Sequence, residues 1–188
     1  MLSRLVNNSE NVLYHTRKLG YFVQFLDKAP KIVDSNGTQR ETSELKSLFF
    51  ASNKERSVAN SVYLSSLFFW YFIAYSDCRN VSKREVISFP FDMKDILTSD
   101  NVCGRLVFLA NDLLENLQNN SYMKIIKYPK YGSLNVQMFQ PKLSKPITDE
   151  IDAILAGHYG FTEEELDYII NYDIKYRMGL GDAVEGGR

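Results

Sequence analysis

Cysteine and histidine are scarce, with two of each in 188 residues. Cys78 and Cys103 have no CxxC partner and no histidine nearby, and His15 and His158 are remote from each other, so the ligand spacing of a zinc site is missing. Neither histidine accompanies a GxSxG elbow, which argues against a nucleophilic triad. The lone Gly179-Leu-Gly181 follows the last helical stretch instead of opening a helix after a strand, so it reads as a frayed end and not as a dinucleotide loop. The chain does not begin with a cationic stretch and a cleavable apolar run, which predicts a cytoplasmic protein with reduced thiols. Long hydrophobic runs are also missing. The apolar stretch Leu67 to Tyr75 is too short to span a bilayer, and no membrane partner is expected.

What the chain does have is a generous apolar and aromatic content, 45% and 13%, against 24% charged residues. A packed globular core follows, with rings to spare for a binding surface. The net charge of -1 hides an asymmetry: residues 1–147 hold 19 Lys and Arg against 13 Asp and Glu, whereas 148–188 hold 3 against 10. The first part suits a phosphate backbone, and the acidic end does not.

Periodicity predicts an α+β fold, a mixed or antiparallel sheet packed with aromatic-rich helices and followed by a C-terminal helical appendage. Extended segments are expected at Val12 to Tyr14, Tyr21 to Phe25 and Leu45 to Ala51, with a turn at Asp34-Ser-Asn-Gly37. Ser52 and Asn53 suit a helix start, and Ser65-Ser66 a division into two helices. Asp77 to Asn80 reads as a polar break before a short capped helix at Ser82 to Val86, and Asn101 to Leu117 as a long amphipathic helix. A hairpin is predicted from Met123 to Tyr128 and Leu134 to Phe139, then a linker marked by Pro141 and Pro146. Two acidic helices follow, the second opened by a Thr162/Glu165 capping box. The division expected is 1–142 as a recognition body and 143–188 as the appendage.

Basic residues recur at polar breaks beside aromatic segments: Arg17, Lys18, Lys46, Lys54, Arg79, Lys83 and Arg84, with Asn53 and Asn80 as amides that can read base edges. A solvated charged face is the plainer reading of each alone. A rival chemistry is magnesium-dependent phosphodiester cleavage, with Asp34 and Glu44 holding the metal and Lys46 polarising water, although such spacing arises often by chance. A third is a protein-interaction module without a nucleic-acid role. The aromatic run Phe68 to Phe72 is read first as core and only second as a base-stacking platform.

Two stretches go further. Leu67-Phe-Phe-Trp-Tyr-Phe72 with Ser76-Asp-Cys-Arg-Asn80, Val81-Ser-Lys-Arg-Glu-Val-Ile87 and Phe89-Pro-Phe91 resembles the target-recognition domain of bacterial adenine-specific DNA methyltransferases and restriction-modification polypeptides, of the TaqI-like kind. The segment from Ile151 to Leu155 and on from His158-Tyr-Gly-Phe to Tyr176-Arg-Met178 is similar to the carboxyl terminus of those proteins, and Tyr14 to Lys18 with Pro30-Lys-Ile32 to the start of the module. The resemblance implies double-stranded DNA as partner, held while a separate methyltransferase catalytic domain, with S-adenosylmethionine, modifies a flipped adenine. This chain has no Pro-Pro pair and no glycine-rich cofactor loop, so catalysis and cofactor binding are expected elsewhere.

Overall fold

The computed structural model describes residues 5–18 and 22–179. Tyr21 of the expected second strand, and Leu180 and Gly181 of the glycine-rich end, lie outside the described residues. The architecture is α+β, with two small antiparallel sheets and a helical core. The first sheet has the order β2-β1-β4, from β1 (Val12–Thr16), β2 (Phe25–Leu26) and β4 (Leu45–Phe49). In β1, Leu13 and His15 point inward while Val12, Tyr14 and Thr16 stay half-exposed, as a period of two requires of a strand covered on one face. His15 pairs with Phe25 on one side and Lys46 on the other.

Helix α1 (Asn53–Leu64) covers this sheet, and α2 (Ser66–Tyr75) follows after a 63° bend. Serine chemistry sets both starts. Ser52 Oγ accepts from the Glu55 N–H, and Ser65 Oγ from the Phe68 N–H, each satisfying an orphan amide of the first turn. Of the aromatic run, Phe68, Phe69 and Phe72 are buried, whereas Trp70 and Tyr71 are half-buried, so the core reading holds for the first three. No single helix among the described residues is long and apolar enough to cross a membrane.

Helix α3 (Lys83–Ser88) is closed by a capping box in which Glu85 reaches back to Ser82. The next helix, α4 (Met93–Thr98), is absent from the sequence expectations because Phe89-Pro-Phe91 reads as a break; Asp92 caps it by accepting from the Lys94 N–H. In α5 (Asp100–Asn119), Cys103, Leu106, Leu109, Leu113 and Leu117 form one buried stripe. Burying each leucine stabilises the fold by about 1.5–3 kcal/mol. Cys103 is buried and Cys78 exposed, and both are free thiols.

The expected linker at Pro141 to Pro146 is instead structured. A 3-10 turn (Pro141–Ser144) runs into α6 (Lys145–Tyr159), whose second residue is Pro146. Proline costs nothing there, since the first-turn N–H groups have no helical partner anyway. Ile151, Ile154 and Leu155 of α6, and Ile169 of α7 (Glu163–Asn171), belong to the same hydrophobic cluster as the residues of α1, α2 and α5. The C-terminal helices thus pack on the body through these side chains. A last turn, α8 (Ile174–Arg177), closes the described chain.

The second sheet stands apart. It has the order β3-β6-β5, from β3 (Ile32–Asp34), β5 (Ser121–Tyr128) and β6 (Gly132–Phe139), with β5 on an open edge. Among its strand residues only Phe139 packs against the core cluster. Gln137 ties its strands together: its Oε1 accepts from the Lys31 N–H and its Nε2 donates to Ser121 Oγ.

Candidate nucleic-acid interface

The end of β1 and the polar break after α2, more than sixty residues apart in sequence, meet in space. Lys18 and Asn80 form an antiparallel bridge, and the Val81 N–H donates to the Arg17 carbonyl at 2.7 Å. The Arg17 N–H in turn donates to the Glu44 carbonyl, which brings in the start of β4 and the exposed Lys46. Lys83 and Arg84 follow directly, in the first turn of α3. Six basic candidates therefore share one corner: Arg17, Lys18, Lys46, Arg79, Lys83 and Arg84, all exposed.

The 77–80 loop is shaped from within. Asp77 Oδ1 accepts from the Arg79 and Asn80 N–H groups at 2.9 and 3.0 Å, and these bonds hold its carboxyl below the usual carboxylate range. Cys78 takes up a left-handed backbone (φ 57°), which few non-glycine residues adopt, and its Sγ donates to the Ile73 carbonyl. The loop therefore presents Arg79 and Asn80 on a braced backbone. Arg84 is more committed: its Nε and Nη2 both donate to Glu85 Oε1, at 3.0 and 2.8 Å.

The corner does not include every expected residue. Asn53 and Lys54 open α1 beyond the far end of β4, about 13 Å from Leu45 along the strand. The carboxylate of Asp34 belongs to the other sheet. It accepts from the Asn36 and Thr38 N–H groups and pairs with Arg40, while Glu44 and Lys46 lie at the corner. Among the described residues no group of three or more His, Cys, Asp or Glu side chains gathers. His15, beside Lys46, is buried against Phe25, and burial lowers its pKa and keeps the ring neutral, so it adds no charge.

Sequence reasoning missed two features. Tyr75, 70% exposed, stacks on Tyr71 at the end of α2 and offers a ring beside the 77–80 loop; its signal, one aromatic at the end of an aromatic run, does not stand out in sequence. The β5–β6 hairpin carries lysines whose charge was visible only within the average over residues 1–147.

Elsewhere the surface has a different character. A groove of about 340 Å³ between α2 and α7 is lined by Trp70, Phe161, Tyr168, Ile169, Glu164 and Glu165, and α7 opens with three consecutive glutamates. Comparison with protein-family models, curated proteins and solved structures finds no match to this chain.

Proposed function

We propose that this chain is a sequence-specific double-stranded DNA-recognition module, the specificity part of an adenine-specific DNA methyltransferase or restriction-modification enzyme. The observation that carries the reading is the Lys18–Asn80 bridge, which joins two basic segments into one exposed corner. Arg17, Lys18, Lys46 and Lys83 act on phosphates, while Arg79 projects toward base edges from the loop that Asp77 braces, with the half-buried Asn80, whose Nδ2 donates to Asp77 Oδ2 at 3.5 Å, beside it. The methyl transfer and its S-adenosylmethionine belong to a catalytic domain outside these residues. The acidic α7 and the aromatic groove beside it, which repel a polyanion, serve to dock that domain.

The test is duplex binding by the full chain across a salt series, alone and with a methyltransferase catalytic domain supplied. Arg17→Ala, Lys18→Ala, Arg79→Ala and Lys83→Ala combined should weaken binding and reduce the steepness of log K against log salt by about 2.7, near 0.9 for each of the three phosphates that Arg17, Lys18 and Lys83 no longer neutralise. Unchanged affinity and slope would refute the placement.

A further inference from the structure

The β5–β6 hairpin combines three properties that a structural ribbon does not need. The first is charge: residues 121–142 contain Lys124, Lys127, Lys130 and Lys142 and no Asp or Glu. The second is exposure. Ile125 is 70% and Tyr131 64% exposed, with Tyr122, Met123 and Tyr128 also open to solvent. The third is projection. β3 pairs only with Leu134, Asn135 and Val136, so beyond it the ribbon continues as two strands alone to the turn at Pro129–Gly132.

Register distributes the lysines. Lys124 shares a face with Tyr122, Ile126 and Tyr128, Lys127 lies on the opposite face with Met123 and Ile125, and Lys130 sits in the turn with its ammonium 5.4 Å from the Tyr131 ring centroid. Positive charge therefore flanks the ribbon on both faces and at its tip. A two-stranded ribbon fits the roughly 12 Å major groove, and the Lys127–Ser133 and Tyr128–Gly132 pairs carry the turn about 7 Å past the end of β3. The root of the hairpin is close to the corner: Phe22 lines a cavity with Tyr122, Phe139 and Lys142, and Phe22 is at most about 14 Å of chain from Lys18.

We propose that the β5–β6 hairpin is a second DNA-binding element, a basic ribbon that enters a groove of the duplex gripped by the corner, with Lys124, Lys127 and Lys130 on the flanking phosphates and Tyr128 and Tyr131 against sugar and base. This rests on the DNA reading above and extends it to a surface far from the corner in sequence. Charge complementarity selects duplex DNA as the occupant over a second copy of the chain, because two such ribbons would bring like charges together.

The experiment compares Lys124→Ala/Lys127→Ala/Lys130→Ala with the four-site corner variant, both in the full chain, by fluorescence anisotropy on duplex DNA over a salt series and by sedimentation. The hairpin lysines are exposed, so thermal melting should match the wild type. The expected result is weaker binding with the log–log salt slope shallower by about 2–3. If the corner variant loses binding while the hairpin variant keeps full affinity and slope, the hairpin proposal is overturned and the DNA reading stands. If neither variant changes binding, the DNA reading itself fails. A hairpin variant that loses self-association and not DNA affinity overturns the proposal in favour of a homotypic contact.

Discussion

Asp152 has a role that neither its type nor its place in α6 announces. It is fully buried, and its two oxygens accept from the Ser66 and Leu67 N–H groups, the orphan donors at the start of α2. Nearby, the Arg177 guanidinium lies 4.7 Å from the ring centroids of both Phe22 and Phe69 and donates to Ser66 Oγ, so that α8, α6 and α2 converge. Burial pushes the Asp152 carboxyl up to about 7, against the pull of the Ser66 and Leu67 hydrogen bonds and of Arg177, whereas an unfolded aspartate titrates near 3.8. Between those values the folded chain holds a proton that the unfolded chain has released. The contribution of this carboxyl to stability is therefore complete below about pH 4 and is lost as pH rises toward 7. Asp152→Asn cannot ionise, so wild-type stability relative to this variant should fall over that window in urea titrations; parallel curves would contradict the shift. Asp152→Ala leaves the Ser66 and Leu67 N–H groups without their acceptor, and should lower unfolding free energy by about 1–3 kcal/mol.

At the scale of elements, the starts of helices rest on side-chain caps that can be removed singly. Ser82→Ala should cost about 1 kcal/mol through loss of the bond to the α3 amide. Because α3 follows the bridged loop directly, the same change should also raise hydrogen exchange at Arg79–Val81. In the hairpin, Gly132 takes φ 71° at the turn with nothing within 4 Å of an added Cβ. The penalty of Gly132→Ala is therefore conformational and not steric, about 1–2 kcal/mol locally. Since the ribbon contributes so little to the core, that loss should appear as exchange in β5 and β6 while the global melting temperature stays nearly constant. An equal drop in both would mean that the second sheet unfolds with the body.

For the whole molecule, the helices after Pro141 are the decisive question. Removing residues 143–188 strips Ile151, Ile154, Leu155 and Ile169 from the core and Asp152 from the start of α2. The 1–142 fragment should then lack cooperative unfolding and bind a hydrophobic dye. A fragment with a sharp thermal transition would support the division into body and appendage.

Local signals wrote most of this fold into the sequence. Ser52, Ser65, Ser82 and Thr162 mark helix starts because capping is a contact within three residues, and the leucine stripe of α5 and the Pro129–Gly132 turn are equally short-range. Elements without such a signal escaped: β3 exists only because β6 pairs with it, and α4 hides behind a proline. The basic residues of the candidate site were each legible, but their grouping was not. Arg17 and Lys18 join Arg79 and Asn80, and Asn53 and Lys54 fall away, because backbone hydrogen bonds between distant segments decide proximity. Residue type and short-range spacing thus determined most of the helices, the turns and the chemistry available to them. Long-range pairing and the sharing of one apolar core decided which charges stand together and whether the acidic end is an attachment or part of the body, since burial and strand pairing are settled only when the whole chain has closed on itself.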